Sequence, residues 1–219
     1  TSRGNRFKNV EDTSLWSIAC IMKINLTNYS YFMEKIPDDL FLSLKKESEQ
    51  ILNGNPNKNV ERITGLTNTG VPKHFSLKVS NKKLFDYLNF LIPRVEKEIN
   101  YFPSVKTNNS AVSLIYDNPW INFQRKGEYL PNHTHDGIYS YSIWIRGIET
   151  DSKDLFSGYF QFLSPSVTGP ILSTNLRIDN SKEGYIVMFP SILMHCVYPF
   201  FNSDECRISI SGNVMMNTR

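Results

Sequence analysis

The stretch "LPNHTHDGIYSYSIW" (130–144) holds two of the chain's four histidines, His133 and His135, just before a run that alternates like a β-strand. In extended backbone, side chains at i and i+2 share a face, so both imidazoles are expected to enter one space, such as the mouth of a barrel. Neutral imidazole is a good ligand for iron, zinc, nickel or copper. An H-x-H alone is a weak signal, because histidine pairs on loops usually face solvent. A third histidine, His195, lies in "GYIVMFPSILMHCVYPF" (184–200), after a strand that Pro190 breaks. Alone it reads as a satisfied core residue. In "CRISISGNV" (206–214), Ile208 and Ile210 alternate with Arg207 and Ser209. The isoleucines belong to one layer, which puts the guanidinium and the hydroxyl together on the other. An interior guanidinium is costly unless paired. Its fork matches a carboxylate in bidentate fashion, and a salt bridge to an Asp or Glu of the chain is the equal alternative.

These residues need elements to hold them. "IPDDLFLSLKKESEQILNG" (36–54) reads as a helix, with Pro37, Asp38 and Asp39 suited to its first turn and Gly54 as a stop. "HFSLKV" (74–79) alternates as a short strand. "SNKKLFDYLNFLIPRVEKEI" (80–99) reads as a second helix, capped by Ser80 and kinked at Pro93. From residue 111 the pattern changes to short aromatic or β-branched runs: "AVSLIY", "WINFQRKG", "YSYSIWIRG", "GYFQFLSP", "GYIVMFP" and "CRISISGNV". Gly, Pro, Asn and Asp separate them, as in an all-β barrel or double-sheet sandwich. The expectation is a mainly β protein whose N-terminal helices pack against a C-terminal barrel. Asn122, Gln124 and Trp144 lie on strands flanking the histidines and are candidates to line a pocket. So is Tyr141, one of two tyrosines, with Tyr139, whose hydroxyl is in reach of a bound ligand.

Composition narrows the class. The chain has 219 residues, 40% hydrophobic and 21% charged. A chain of that length buries about 70% of its unfolded surface and needs neither disulfide nor structural metal to fold. The net charge of +3 is dispersed, with no basic stripe for nucleic acid and no acidic tail. Cys20, Cys196 and Cys206 are odd in number and lack C-x-x-C spacing, which suits a reducing, cytoplasmic compartment. No apolar run approaches the ~20 residues of a membrane span. Residues 1–21 read as an extension ahead of a native-like start at Met22, residues 22–104 as a helical α+β region, and residues 105–219 as the β core.

The order of the pieces is more telling than any one of them. H-x-H, a long gap, a single His, then Arg-x-Ser a dozen residues on, resembles the 2-oxoglutarate/Fe(II)-dependent oxygenases, and most closely those carried by marine bacteriophages. The stretches that carry the resemblance are "LPNHTHDGIYSYSIWIRGI", "FPSILMHCVYPF" and "RISISGN", with "GLTNTGVPKHF" as a weaker upstream match. The resemblance covers about residues 105–214. It implies a double-stranded β-helix (jelly-roll, cupin-like) core, Fe(II) at the barrel mouth, and 2-oxoglutarate as co-substrate. It also implies cytoplasmic work, in an infected bacterium if the gene is a phage's. His133 matches the first metal ligand, His195 the distal one, and Arg207 with Ser209 the clamp on the far carboxylate of 2-oxoglutarate. The family's usual triad is two His and one carboxylate. Here the i+2 position is His135, and the alternative ligand, Asp136, needs a bulge to turn it inward. Same-face geometry favours His135. Two other functions compete: a cupin-like three-His metal dioxygenase that takes no 2-oxo acid, and a non-enzymatic phage β-barrel binding module. The substrate, whether small molecule, side chain or nucleobase, and the oligomeric state are not encoded legibly.

Overall fold

The computed structural model describes residues 30–54, 60–62, 73–77, 82–99, 101, 114–150, 156–166 and 168–216. The expected extension at 1–21, the Ser80 cap and most of "GLTNTGVPKHF" lie outside the described residues. A short strand β1 (Phe32–Lys35) leads into α1 (Asp38–Leu52). Leu40, Leu44 and Ile51 are buried at helical spacing, with Pro37 at the N-cap and Asn53 at the C-cap. Strands β2 (Val60–Arg62) and β3 (Lys73–Leu77) precede α2 (Lys82–Ile99), which continues through Pro93. Its buried stripe is Leu84, Leu88, Leu91, Ile92 and Val95. Full burial of each such side chain stabilises by about 1.5–3 kcal/mol.

Nine strands follow: β4 (Leu114–Tyr116), β5 (Trp120–Gln124), β6 (Leu130–His133), β7 (Tyr139–Arg146), β8 (Tyr159–Pro165), β9 (Ile171–Arg177), β10 (Tyr185–Pro190), β11 (Met194–Val197) and β12 (Arg207–Met216). They build two antiparallel sheets. The larger runs β1-β10-β7-β12-β5-β3-β2, with β4 also on β12; the smaller runs β6-β11-β8-β9. This is the jelly-roll core expected from the motifs. The helices cover the outer face of the larger sheet, over Ile121, Phe123, Ile143, Ile145, Ile186, Ile208 and Ile210. Between the sheets lies a second cluster of Trp144, Phe160, Phe162, Val187, Phe189 and Val197. Period-two alternation assigns the faces. Ile186 and Met188 of β10 join the helix-side cluster, whereas Val187 and Phe189 join the inner one. No helix among the described residues is long and apolar enough to cross a membrane.

Candidate metal and co-substrate site

The inner face of the larger sheet is polar on one side of the barrel. Asn122 and Gln124 from β5, Ser142 from β7, and Arg207, Ser209 and Ser211 from β12 line a cavity of about 510 Å³, faced across the barrel by Phe160 and Phe189. The register explains the grouping, because Arg207 pairs with Gln124 and Ser209 with Asn122 across the β5–β12 ladder. Directly opposed residues point to one face. Ile208 and Ile210 go to the helix side, as their alternation with Arg207 and Ser209 requires.

At the same cavity, His133, His135 and His195 converge: their ligating nitrogens lie within 4.8 Å of one another. His133 ends β6 and pairs directly with His195 of β11. The paired strand stops there. His135 lies two residues on, just before the bend at 136–138, and its backbone N–H donates to the Ser191 carbonyl at 2.9 Å. Asp136 is exposed and outside the cluster.

The Nδ1 atom of His133 lies 2.6 Å from the Pro131 carbonyl and that of His195 lies 2.9 Å from the Leu193 carbonyl. A carbonyl accepts only, so each Nδ1 carries the proton and each Nε2 keeps its lone pair for a metal. Burial first, and the neighbouring His133 second, push the His135 pKa down to about 4 and that of His195 down to about 3. Both rings are therefore neutral at neutral pH, the form that ligates. Aromatic rings pack around them: Phe160 stacks on His195 with centroids 5.4 Å apart, and Trp120 lies 5.8 Å from His135. Three imidazole nitrogen donors on one cavity wall fit a divalent transition metal.

Arg207 is 5% exposed. It donates to the Gly158 carbonyl and to Gln124 Oε1, both neutral, and no acid pairs with it among the described residues. Gln124 is in turn fixed by donating Nε2 to the carbonyls of Glu128 (2.5 Å) and Tyr198 (3.1 Å). Burial pushes the Arg207 pKa down to about 9, which still leaves it charged at neutral pH. The protein thus holds a buried cation with its counter-charge unprovided, which suits an anionic ligand. Asn122 Nδ2 lies 3.2 Å from the Ser209 hydroxyl and 3.1 Å from that of Ser211.

Trp144 divides its surface between cavity and inner core. Tyr141 borders the cavity, but its ring belongs to the helix-side cluster. Its hydroxyl lies over Gly212, where a Cβ would come within 2.4 Å of it. Tyr139 is on the same side, and among the described residues neither hydroxyl has a hydrogen-bond partner. The sequence pattern offered one of these tyrosines for reach into the pocket; Tyr141 lines it, and both rings pack on the helix side. Cys196 is buried on the opposite face from His195, 3.7 Å from Gln161 Oε1. Gln124's role as the support of Arg207, and the part played by Ser191, were not foreseen. Their signal is the "FPS" and "QRKG" context of the motifs, readable only once strand pairing is known.

The family model described as "Putative 2OG-Fe(II) oxygenase" matches residues 118–213, the span from the approach to β5 to near the end of β12. This β core belongs to the 2-oxoglutarate/Fe(II)-dependent oxygenases. Such an oxygenase is an oxidoreductase, with Fe(II) as its metal and 2-oxoglutarate as its co-substrate. Solved structures agree on the fold. A Pseudomonas putida prolyl-4-hydroxylase superposes with a TM-score of 0.54 at 12% identity, covering 87% of this chain and 94% of its own. The α-ketoglutarate-dependent epimerase SnoN of nogalamycin biosynthesis gives 0.52 at 12% identity, over 85% and 78% of the two chains. A Trichoplax adhaerens prolyl hydroxylase, solved with a hypoxia inducible factor peptide, gives 0.50 at 12% identity, over 87% and 83%. No curated protein matches the oxygenase chain by sequence.

Proposed function

We propose that this oxygenase holds Fe(II) on His133, His135 and His195 and anchors the far carboxylate of 2-oxoglutarate on Arg207 and Ser209. The observation that carries the reading is the pairing of two features in one cavity: three converging imidazoles, and a buried guanidinium that no acid pairs with among the described residues. With O2, the bound metal and co-substrate supply oxidation of a substrate C–H bond, releasing succinate and CO2.

The chain's own residues do the rest. The carbonyls of Pro131 and Leu193 hold the Nδ1 protons of His133 and His195 and so direct both Nε2 atoms at one point. Gln124 and the Gly158 carbonyl take two of the guanidinium's protons and leave the remaining donors for a carboxylate. Asn122 and Ser142 form a polar wall beside it, and Phe160, Phe189 and Trp144 form the dry one. The dry wall excludes water from the reacting side, which matters where a strong oxidant is made. His135 in place of a carboxylate leaves the metal site one unit more positive than the usual triad. The unpaired cysteines Cys196 and Cys206, with the motif resemblance to phage oxygenases, support a reducing cytoplasmic setting.

The test is an anaerobic titration of the protein with Fe(II) and then 2-oxoglutarate, followed by visible absorption. A chelate band at one equivalent of each is expected. His195→Ala, which removes the most buried of the three rings, is expected to abolish both the band and stoichiometric iron binding. Wild-type iron affinity in that variant refutes the site, and iron binding without a 2-oxoglutarate band refutes the co-substrate assignment.

A further inference from the structure

Two residues of the sequence motifs do not line the cavity described above, the serine of "FPS" and the asparagine of "SGN", Ser191 and Asn213. Both are buried, and they meet at Ser140. Ser140 lies on β7, Ser191 in the turn after β10 and Asn213 on β12. The Ser140 hydroxyl is 2.9 Å from the Ser191 hydroxyl and 2.9 Å from Asn213 Oδ1. One hydroxyl has one proton, and the amide oxygen has none. Ser140 is therefore the shared member of the network: its hydroxyl is in donor range of both Ser191 Oγ and Asn213 Oδ1, and its one proton serves them one at a time.

The far end of this relay is tied to a metal-site histidine. The Ser191 carbonyl accepts the His135 backbone N–H at 2.9 Å, and the Ser191 N–H donates to the Ile138 carbonyl at 3.0 Å. The Ile138 N–H donates to the Val214 carbonyl, next to Asn213, at 2.8 Å. Residues 135–138 are thus bracketed between Ser191 and β12. Gly137 makes the bracket feasible: its φ is 107°, and a Cβ there would stand 2.8 Å from the Val214 carbonyl oxygen. His133 and His195 each have an imidazole nitrogen held by a carbonyl, whereas among the described residues no hydrogen bond reaches the His135 ring. His135 also lies beyond the end of β6, so no strand ladder fixes it. Its placement depends on its backbone and on ring contacts with Trp120, His133 and His195.

We propose that the Ser191–Ser140–Asn213 relay is the positioning device for His135. It locks the turn whose carbonyl sets the His135 backbone, and so sets the third donor of the metal site without touching the metal. The inference rests on the three-histidine reading above.

The experiment uses Co(II) alone as the probe, added to the metal-free protein. Its visible d–d absorption reports coordination number and geometry, and chelator competition gives its affinity. Ser191→Ala is expected to weaken Co(II) binding about 10- to 100-fold, the range typical of losing support behind a ligand, and to shift the band. Ser140→Ala removes the hydroxyl that joins Ser191 to Asn213 and leaves the Ser191 side chain in place, and it is expected to do the same; it serves where Ser191→Ala does not fold. Val95→Ala in α2, a buried truncation away from the site, controls for lost stability and is expected to leave the band and affinity unchanged. In a His135→Ala background, the serine substitutions are expected to add less than threefold, because their effect passes through a ring already removed. A wild-type band and affinity in a folded relay variant overturns the inference. Full additivity with His135→Ala overturns it too. Failure of the wild-type protein to bind Co(II) overturns instead the metal-site reading on which it stands.

Discussion

Exchanging Gln124 for glutamate changes one atom type and puts a carboxylate where the amide now accepts from Arg207. The guanidinium is 5% exposed and the residue at 124 is 3% exposed, so the new pair forms away from bulk water. Two effects then oppose a bound dicarboxylate. The guanidinium's charge is already answered, which removes the charge-assisted share of its bonds to the ligand, about 1 kcal/mol. The new carboxylate also repels that of the ligand; at a separation of ~6 Å and an effective dielectric of ~20, Coulomb's law gives roughly 2–3 kcal/mol. Together these predict a loss of 2-oxoglutarate affinity of about a hundredfold or more, since each 1.4 kcal/mol is about tenfold. The assay is calorimetric titration of 2-oxoglutarate into the anaerobic protein loaded with Mn(II), alongside a Mn(II) titration without co-substrate. Mn(II) affinity is expected to stay unchanged or rise slightly. The variant also loses the Nε2 donors to Glu128 and Tyr198, so its melting curve must show a folded protein before binding is compared. A folded Gln124→Glu protein that binds 2-oxoglutarate within threefold of wild type would refute the assignment of Arg207 as the anion's partner.

Further outcomes are specific to other parts of the molecule. Gly147→Ala places a Cβ 2.2 Å from the Asp179 carbonyl carbon and oxygen, which are backbone and cannot swing aside; a loss of about 3 kcal/mol, or roughly 6–12 °C in Tm, is expected by thermal denaturation. Gly212→Ala drives into the Tyr141 ring, and it is expected to destabilise the fold, with Tyr141→Phe in the same chain recovering part of the loss. Glu47 has its carboxyl pKa raised by burial, and its Oε1 lacks a partner. Ionising it therefore costs the folded state more than the unfolded one. That cost is absent below the unfolded carboxyl pKa and grows as pH rises through the folded one. Glu47→Gln is accordingly expected to melt higher than wild type at pH 7 and to lose that advantage at pH 4.

Much of this architecture was legible in the sequence. Both helices announced themselves by apolar spacing and start signals, and six of the β-core strands by alternation. Arg207 and Ser209 were separable from their isoleucine neighbours on the same ground. The strands that escaped notice lack the pattern: Pro131 and Asn132 interrupt β6, and residues 171–175 of β9 are exposed on both faces, so burial imposes no period. The convergence of His133 with His195 follows from a long-range pairing that spacing cannot reveal. His135 joins His133 as its i, i+2 spacing suggested, and a backbone bond to Ser191 holds it beyond the end of the paired strand. Tyr141 borders the cavity as its strand suggested, while its ring packs in the helix-side cluster. The serine relay joins residues 51 and 73 positions apart, a separation at which only the folded register brings partners together.

β6 is the outermost strand of the smaller sheet, and its only paired positions with β11 are His133 with His195 and Leu130 with Val197, with a register shift between them. An ion gripping the two imidazoles of the first pair would rivet that border strand to its neighbour at the point where the backbone ladder is thinnest. Stripping the ion would then loosen the border first, so deuterium uptake at residues 130–135 would report whether the protein is loaded well before any turnover could be measured.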